Sequence, residues 1–318
     1  MRIVILLTLI LNVTSCGLLL PIKVDKAENL HIKATPEMLV RGAYLVEHVT
    51  GCTDCHSQRN WSLYTAPVKP ETLGAGGEAF TEEMGTPGTI YTPNITPAAL
   101  GSWTDGEIVR AIVSGVSKDG TPLFPIMPYP NYAHMSRDDI YSIVAYLRTL
   151  KPIENQTPER KLNFPLNLIV RTIPKQAEYG ARPYTSDRIA YGQYIATAAG
   201  CADCHTPMAK GRPIEGMEYA GGFTMGMPSG GLVSSVNITP HETGIKNWTR
   251  EGFIQRFKSL DNEGARQIPL GKDQLNTVMP WTYYASMDSS DLGAIYDYLM
   301  SVPAVDNLVV KYPEEAGS

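Results

Sequence analysis

The chain has 318 residues, 43% of them hydrophobic and 19% charged, which is enough apolar material for two packed domains and too much for a single small module. Lys plus Arg number 27 against 32 Asp plus Glu, a formal charge of −5, so the surplus of positive charge that a nucleic-acid partner requires is missing. Gly at 28 and Pro at 24, without a fixed short period, point to long ordered loops and modest regular structure.

At the N-terminus, Arg2 precedes an apolar run from Ile3 to Leu11 and then Val13-Thr14-Ser15-Cys16. This pattern resembles the lipobox of a bacterial lipoprotein signal. In that reading residues 1–15 are a signal peptide, Cys16 carries lipid, and residues 16–34 are a membrane-proximal tether. The alternative is an uncleaved span from Ile3 to Ile22, weakened by Asn12, Thr14, Ser15 and Pro21. Both readings export the body of the protein and leave it attached to a membrane, facing the periplasm.

The elements that follow predict a mainly α protein with long loops. Thr35-Pro36 opens a first helix with Leu39, Ala43 and Val46 on one face. Thr104-Asp105-Gly106-Glu107 reads as a capping box ahead of Ile108, Ala111 and Ile112. Ser136 starts a helix through Ile140, Ile143, Val144 and Leu147. A Pro-rich linker, 151–186, contains the apolar stretch Phe164 to Val170, expected to pack across the domains. Helical patterns then return over 187–198, over 250–259 with Phe253, Ile254 and Phe257, and from Asp288 to Met300 with Leu292, Ile295 and Leu299.

Apart from Cys16, every cysteine falls in one of two motifs, Cys52-Thr53-Asp54-Cys55-His56 and Cys201-Ala202-Asp203-Cys204-His205. CxxCH is the attachment pattern for c-type haem: two thiols add to one porphyrin and the adjoining imidazole binds iron. A shared four-cysteine zinc site or two redox CxxC pairs are the rivals, and neither needs a histidine at the same place twice. The surrounding phrases also recur in order. Gly42-Ala43-Tyr44-Leu45 pairs with Gly192-Gln193-Tyr194-Ile195, Ala75-Gly76-Gly77 with Ala220-Gly221-Gly222, Asn94-Ile95-Thr96-Pro97 with Asn237-Ile238-Thr239-Pro240, Trp103-Thr104 with Trp248-Thr249, and Met127-Pro128 with Met279-Pro280. The expected architecture is therefore two tandem cytochrome c-like domains related by internal duplication, 35–150 and 187–304, with a tail at 305–318 and two covalently bound haem c groups.

Two methionines per unit compete for the sixth iron position. Met135 and Met287 directly precede a helix cap and read as core staples. Met127 and Met279 precede proline in a loop, where an extended backbone can present a thioether, and are the expected distal ligands opposite His56 and His205. His134, with Ser286 at the corresponding place, is the rival in the first unit. Asn94, Asn237, Trp103 and Trp248 read equally as structural residues or as donors to haem propionates.

With these motifs in this order, and Asp291 to Leu299 closing the second unit, residues 35–303 resemble the cytochrome c subunits of bacterial membrane-bound alcohol, gluconate and related dehydrogenases. Those subunits typically carry three CxxCH motifs; this chain has two. The resemblance implies a carrier that relays single electrons from a periplasmic dehydrogenase or other donor to a respiratory-chain acceptor, a cytochrome or oxidase. The alternative is a di-haem enzyme such as a cytochrome c peroxidase or thiosulfate dehydrogenase, in which one iron must be open; the matching Met-Pro in both units favours the carrier.

Overall fold

The structure, a computed structural model, describes residues 22–271 and 274–314; Cys16 and the candidate leader lie outside them. Helix α1 (Pro36–Tyr44) begins where its sequence cap predicts, with the Thr35 hydroxyl accepting from the Met38 N–H at 3.3 Å and Pro36 in the first turn. It runs on as a π-helical turn, Leu45–Val49, in which Leu45, Val46 and Val49 are fully buried. Then come α2 (Cys52–Cys55), α3 (Pro97–Leu100) and α4 (Asp105–Ser114). The predicted capping box opens α4: Thr104 Oγ1 accepts from the Glu107 N–H at 3.2 Å, and the Glu107 carboxylate accepts from the Thr104 N–H at 2.8 Å. A short α5 (Tyr129–Tyr132) leads into α6 (Arg137–Leu147), capped by Ser136.

The linker contributes α7 (Leu166–Ile169), and the C-terminal half contains α8 (Arg188–Ala198), α9 (Cys201–His205), α10 (Arg250–Lys258), α11 (Trp281–Tyr284) and α12 (Ser289–Leu299). Strands are short. β1 (Ala79–Phe80), β2 (Gly88–Tyr91) and β3 (Lys161–Leu162) form an antiparallel sheet in that order, and β4 (Met208–Ala209) with β5 (Arg212–Pro213) and β6 (Thr224–Gly226) with β7 (Leu232–Ser234) form two-stranded ribbons. The protein is mainly α, and among the described residues no helix is long and apolar enough to cross a membrane.

The two halves close their cores in the same way, α1 packing on α6 and α8 on α12. Glycine makes each crossing possible: a Cβ at Gly42 would lie 2.0 Å from the Ser142 carbonyl oxygen, and one at Gly192 would lie 2.0 Å from that of Ala294. Ile140, Ile143 and Val144 fill the first core, and Ile195, Leu292 and Leu299 the second.

The halves meet by exchanging tyrosines. Tyr44 on α1 donates to Asp291 on α12 at 2.7 Å, and Tyr194 on α8 donates to Asp139 on α6 at 2.7 Å. Each hydroxyl also accepts from a backbone N–H at the start of the opposite helix, Asp288 for Tyr44 at 3.2 Å and Ser136 for Tyr194 at 3.1 Å. Both carboxylates are buried. Their other partners differ: Arg41 grips Asp139 through two bonds of 2.9 Å and Arg182 adds a third at 3.0 Å, whereas Asp291 receives the Tyr191 hydroxyl at 3.2 Å.

One expectation needs correction. The apolar stretch of the linker does not bury as a unit, since Val170 is buried while Phe164 is 79% exposed. The linker is instead anchored to the N-terminal half by β3, which extends the β1–β2 sheet. Residues 22–34, within the stretch expected to be a membrane-proximal tether, lie along the body: the Ile32 N–H reaches Asp105 at 2.8 Å, and Leu30 and Ile32 pack against the core.

Candidate functional site

Each CxxCH begins at a left-handed glycine, Gly51 before α2 and Gly200 before α9, both at φ 68°. From there the two histidines reach matching partners. The Nδ1 of His56 lies 2.7 Å from the Pro93 carbonyl oxygen, and the Nδ1 of His205 lies 2.7 Å from that of Val236. A neutral imidazole donating from Nδ1 has its Nε2 lone pair free for a metal, and the carbonyl fixes the ring's orientation. Desolvation lowers the pKa of both imidazoles against the opposing effect of this hydrogen bond, which favours the neutral, metal-binding form.

The recurrent Ala-Gly-Gly belongs to the same device. Gly76 and Gly221 donate their N–H to the His56 and His205 carbonyls at 2.8 and 2.7 Å. Both have positive φ, and a Cβ there would sit 2.5 Å from the Pro93 carbonyl carbon or 2.4 Å from that of Val236. Only glycine lets the chain press against the carbonyl that holds each imidazole.

The thiols bear on the readings of CxxC. Desolvation pushes Cys52 up to about 11 and Cys55 and Cys201 up to about 12, the opposite of the lowered pKa that activates a redox pair. Among the described residues the four cysteines and their neighbours do not assemble into a cluster able to hold a metal ion on protein ligands alone. Two thiols beside an imidazole with one free nitrogen fit haem c in each motif.

Of the candidate methionines, Met135 and Met287 are 2% and 1% exposed and belong to the helical core, as their staple positions predict. Met127 and Met279 are half-buried at the core's edge. Their segments are tied to the turns just before the thiol-bearing helices by a tyrosine that the sequence alone did not single out. The Tyr132 hydroxyl donates to the Thr50 carbonyl, and that of Tyr284 donates to the Ala199 carbonyl, at 2.6 Å in the second case. Tyr132 and Tyr284 each stand five residues after the Met-Pro methionine, so the recurrence was present in the sequence. His134 is exposed.

The asparagines take the structural role. Asn94 Oδ1 accepts from the Thr96 N–H at 2.8 Å while its Nδ2 donates to the Ile153 carbonyl at 2.7 Å; Asn237 repeats this with Thr239 at 2.9 Å and Val305 at 2.8 Å. Neither tryptophan is a core residue, Trp103 being half-buried and Trp248 41% exposed.

The surroundings of the motifs differ between the halves. Asp54 pairs with Arg59 at 2.6 Å within the N-terminal half, while Asp203 accepts from Asn131 of the N-terminal half at 2.7 Å. Across the junction, the Tyr283 hydroxyl donates to the Val46 carbonyl at 2.9 Å and accepts from the Gly51 N–H at 2.8 Å.

Residues 189–303 match the family model for cytochrome c. This stretch is similar to cytochrome c. The matched stretch contains α9 and its CxxCH, Met279 and the α8–α12 crossing. Over 290 residues, 86% of its length, the chain is 29% identical to the cytochrome c subunit of the quinone alcohol dehydrogenase of Gluconacetobacter polyoxogenes, of which the match covers 57%. It is 28% identical to the fructose dehydrogenase cytochrome subunit of Gluconobacter japonicus, over 83% of this chain and 52% of that one. A diheme cytochrome c-type protein of Cereibacter sphaeroides is 26% identical, over 80% of this chain and 83% of its own length. The chain thus spans little more than half the length of the dehydrogenase subunits that it matches.

Proposed function

We propose that the chain is a two-haem electron carrier built from tandem cytochrome c domains, 35–150 and 187–304, that arose by duplication. The observation that carries this reading is the same imidazole-to-carbonyl bond of 2.7 Å beside both CxxCH motifs. Cys52 and Cys55 would hold one group together with His56 and Met127, and Cys201 and Cys204 would hold the other with His205 and Met279. When bound, haem c supplies a one-electron Fe(III)/Fe(II) couple. The protein's own work is to fix the imidazole tautomer through Pro93 and Val236, to keep the thioether segments docked through Tyr132 and Tyr284, and to offer each group an imidazole and a thioether that would leave no place for a substrate. The Asp54–Arg59 pair on one side and the Asp203–Asn131 contact on the other give the two sites different fields, a means of separating their potentials.

The similarity to cytochrome subunits of dehydrogenases supports a periplasmic dehydrogenase as donor and a respiratory-chain component as acceptor. In this reading lipid on Cys16 keeps the carrier at the membrane, facing the periplasm. After periplasmic maturation, intact mass and the pyridine haemochrome spectrum are expected to give two haems per chain, and one in a Cys201→Ala/Cys204→Ala variant. Fewer than two in the parent protein overturns the reading. The ferric protein is expected to be low-spin with a methionine–iron charge-transfer band; a high-spin resting spectrum with peroxide turnover transfers the assignment to a di-haem peroxidase. Cys16→Ser is expected to move the protein from the membrane to the soluble fraction, and retention on the membrane refutes the lipid anchor.

A further inference from the structure

The two Met-Pro segments are anchored differently. Phe124-Pro125 in the N-terminal half stand where Asn276-Thr277 stand in the C-terminal half, counted back from each methionine. Ahead of Met127 the bonds are local, the Leu123 N–H donating to the Gly115 carbonyl at 2.7 Å and the Met127 N–H to that of Phe124 at 3.2 Å, while beyond it Asn131 reaches Asp203 across the junction at an exposed contact of 2.7 Å. Around Met279 they cross the junction. Asn276 is completely buried, and its side-chain amide fills four hydrogen-bonding positions. Its Oδ1 accepts from the Thr65 and Thr277 N–H groups, both at 2.9 Å, and its Nδ2 donates to the Leu63 carbonyl at 2.9 Å and the Trp61 carbonyl at 3.3 Å. Three of these four partners, Thr65, Leu63 and Trp61, belong to the N-terminal half.

The connection continues to the methionine itself. Thr277 Oγ1 accepts from the Met279 N–H at 3.1 Å, so a run of hydrogen bonds links Thr65 to the Met279 backbone through Asn276. Beyond Met279, Thr282 Oγ1 lies 3.2 Å from Thr65 Oγ1, so Thr65 holds both flanks. Two further bonds, Tyr64 N–H to the Ile268 carbonyl at 2.8 Å and Leu270 N–H to the Ser62 carbonyl at 2.9 Å, brace the same contact. Thr65 and the fully buried Ala66 adopt φ of 64° and 45°, a left-handed conformation that non-glycine residues keep only where the surroundings over-determine it.

We propose that Asn276 is a positioning residue that latches the Met279 segment to the N-terminal half, so that thioether ligation in the C-terminal half depends on a buried contact of the junction that has no counterpart at Met127. The proposal rests on the reading of Met279 as an axial ligand. Opening the latch raises the population in which Met279 is detached, and an external ligand then binds more tightly in proportion to that population.

The test uses the matured full-length protein with imidazole as the probe, in a Met127→Ala background where the methionine–iron band reports the C-terminal site alone. Asn276→Ala is expected to weaken the band and to raise the apparent imidazole affinity of that site about tenfold, with haem content unchanged. In the parent background the same substitution leaves the N-terminal site as it was. Thr282→Val removes only the hydroxyl that faces Thr65; it is expected to act in the same direction by a smaller factor, and it carries the test if the asparagine variant does not mature. An unchanged band and affinity, or an equal change at both sites, overturns the latch. Met279→Ala in the Met127→Ala background tests the underlying reading separately: a band that survives it refutes Met279 as the ligand, whatever Asn276 does.

Discussion

Replacing Asp139 with alanine is expected to lower the unfolding free energy by about 3–5 kcal/mol, the usual cost of leaving a buried charge without its partner. The carboxylate is 1% exposed and the Arg41 guanidinium 20%, and the substitution strands Arg41 while removing the acceptor of Tyr194 across the junction. The matching change at Asp291 is expected to cost less, about 1–3 kcal/mol, because Tyr44 and Tyr191 lose an acceptor but no guanidinium is left uncompensated. Denaturant unfolding of the two holoprotein variants measures the difference, and equal losses rule out the arginine clasp as its source. Burial opposes ionisation of Asp139, yet the hydrogen bonds and charge of Arg41, with Tyr194 and Arg182, outweigh it and hold the pKa below its ordinary value. An unfolded aspartate titrates near ~3.9. The stabilisation is therefore complete above that pH and is lost as pH falls through the lower folded-state value. Asp139→Asn should flatten this acid limb of the stability curve.

Gly192→Ala is expected to reverse the usual sign of that substitution. Within a helix alanine ordinarily gains about 0.5–1 kcal/mol over glycine. Here the new methyl group would meet the Ala294 carbonyl oxygen at 2.0 Å and the Tyr298 Cβ at 3.0 Å, so α8 and α12 must separate, with an overpacking cost of about 1–3 kcal/mol. Since α8 ends three residues before Cys201, the C-terminal site should also lose haem occupancy before the N-terminal one does. Thermal unfolding together with haem content per site checks both effects, and a stabilised, fully loaded variant would refute the tight crossing. Gly42→Ala should do the same to the first crossing, where Ser142 supplies the carbonyl.

Much of this was legible in the sequence because the features concerned are local. Caps at Thr35, Thr104 and Ser136, the apolar faces of the helices and the CxxCH spacing are properties of short windows, and the structure has each element where those windows place it. The staple methionines Met135 and Met287 are buried as their positions imply, because a residue just before a helix cap has one natural direction to point. What the sequence hid is contact between distant segments. Gly42 and Gly192 were visible as repeats, but only packing reveals that each admits a carbonyl. Phe164 looked like core by hydropathy and is exposed, since β3 had already committed the linker to the sheet edge. Asn276 and Thr65 have nothing in their immediate neighbours to mark them; their significance lies in a contact spanning 211 positions.

The tyrosine exchange between Tyr44–Asp291 and Tyr194–Asp139 has the character of an isologous contact, in which each side offers the same donor and the same acceptor to the other. Such a pairing is closed. Once both hydroxyls and both carboxylates are satisfied, neither surface is left to propagate the arrangement, so a further unit of this kind, in the same polypeptide or another, must dock through a different face.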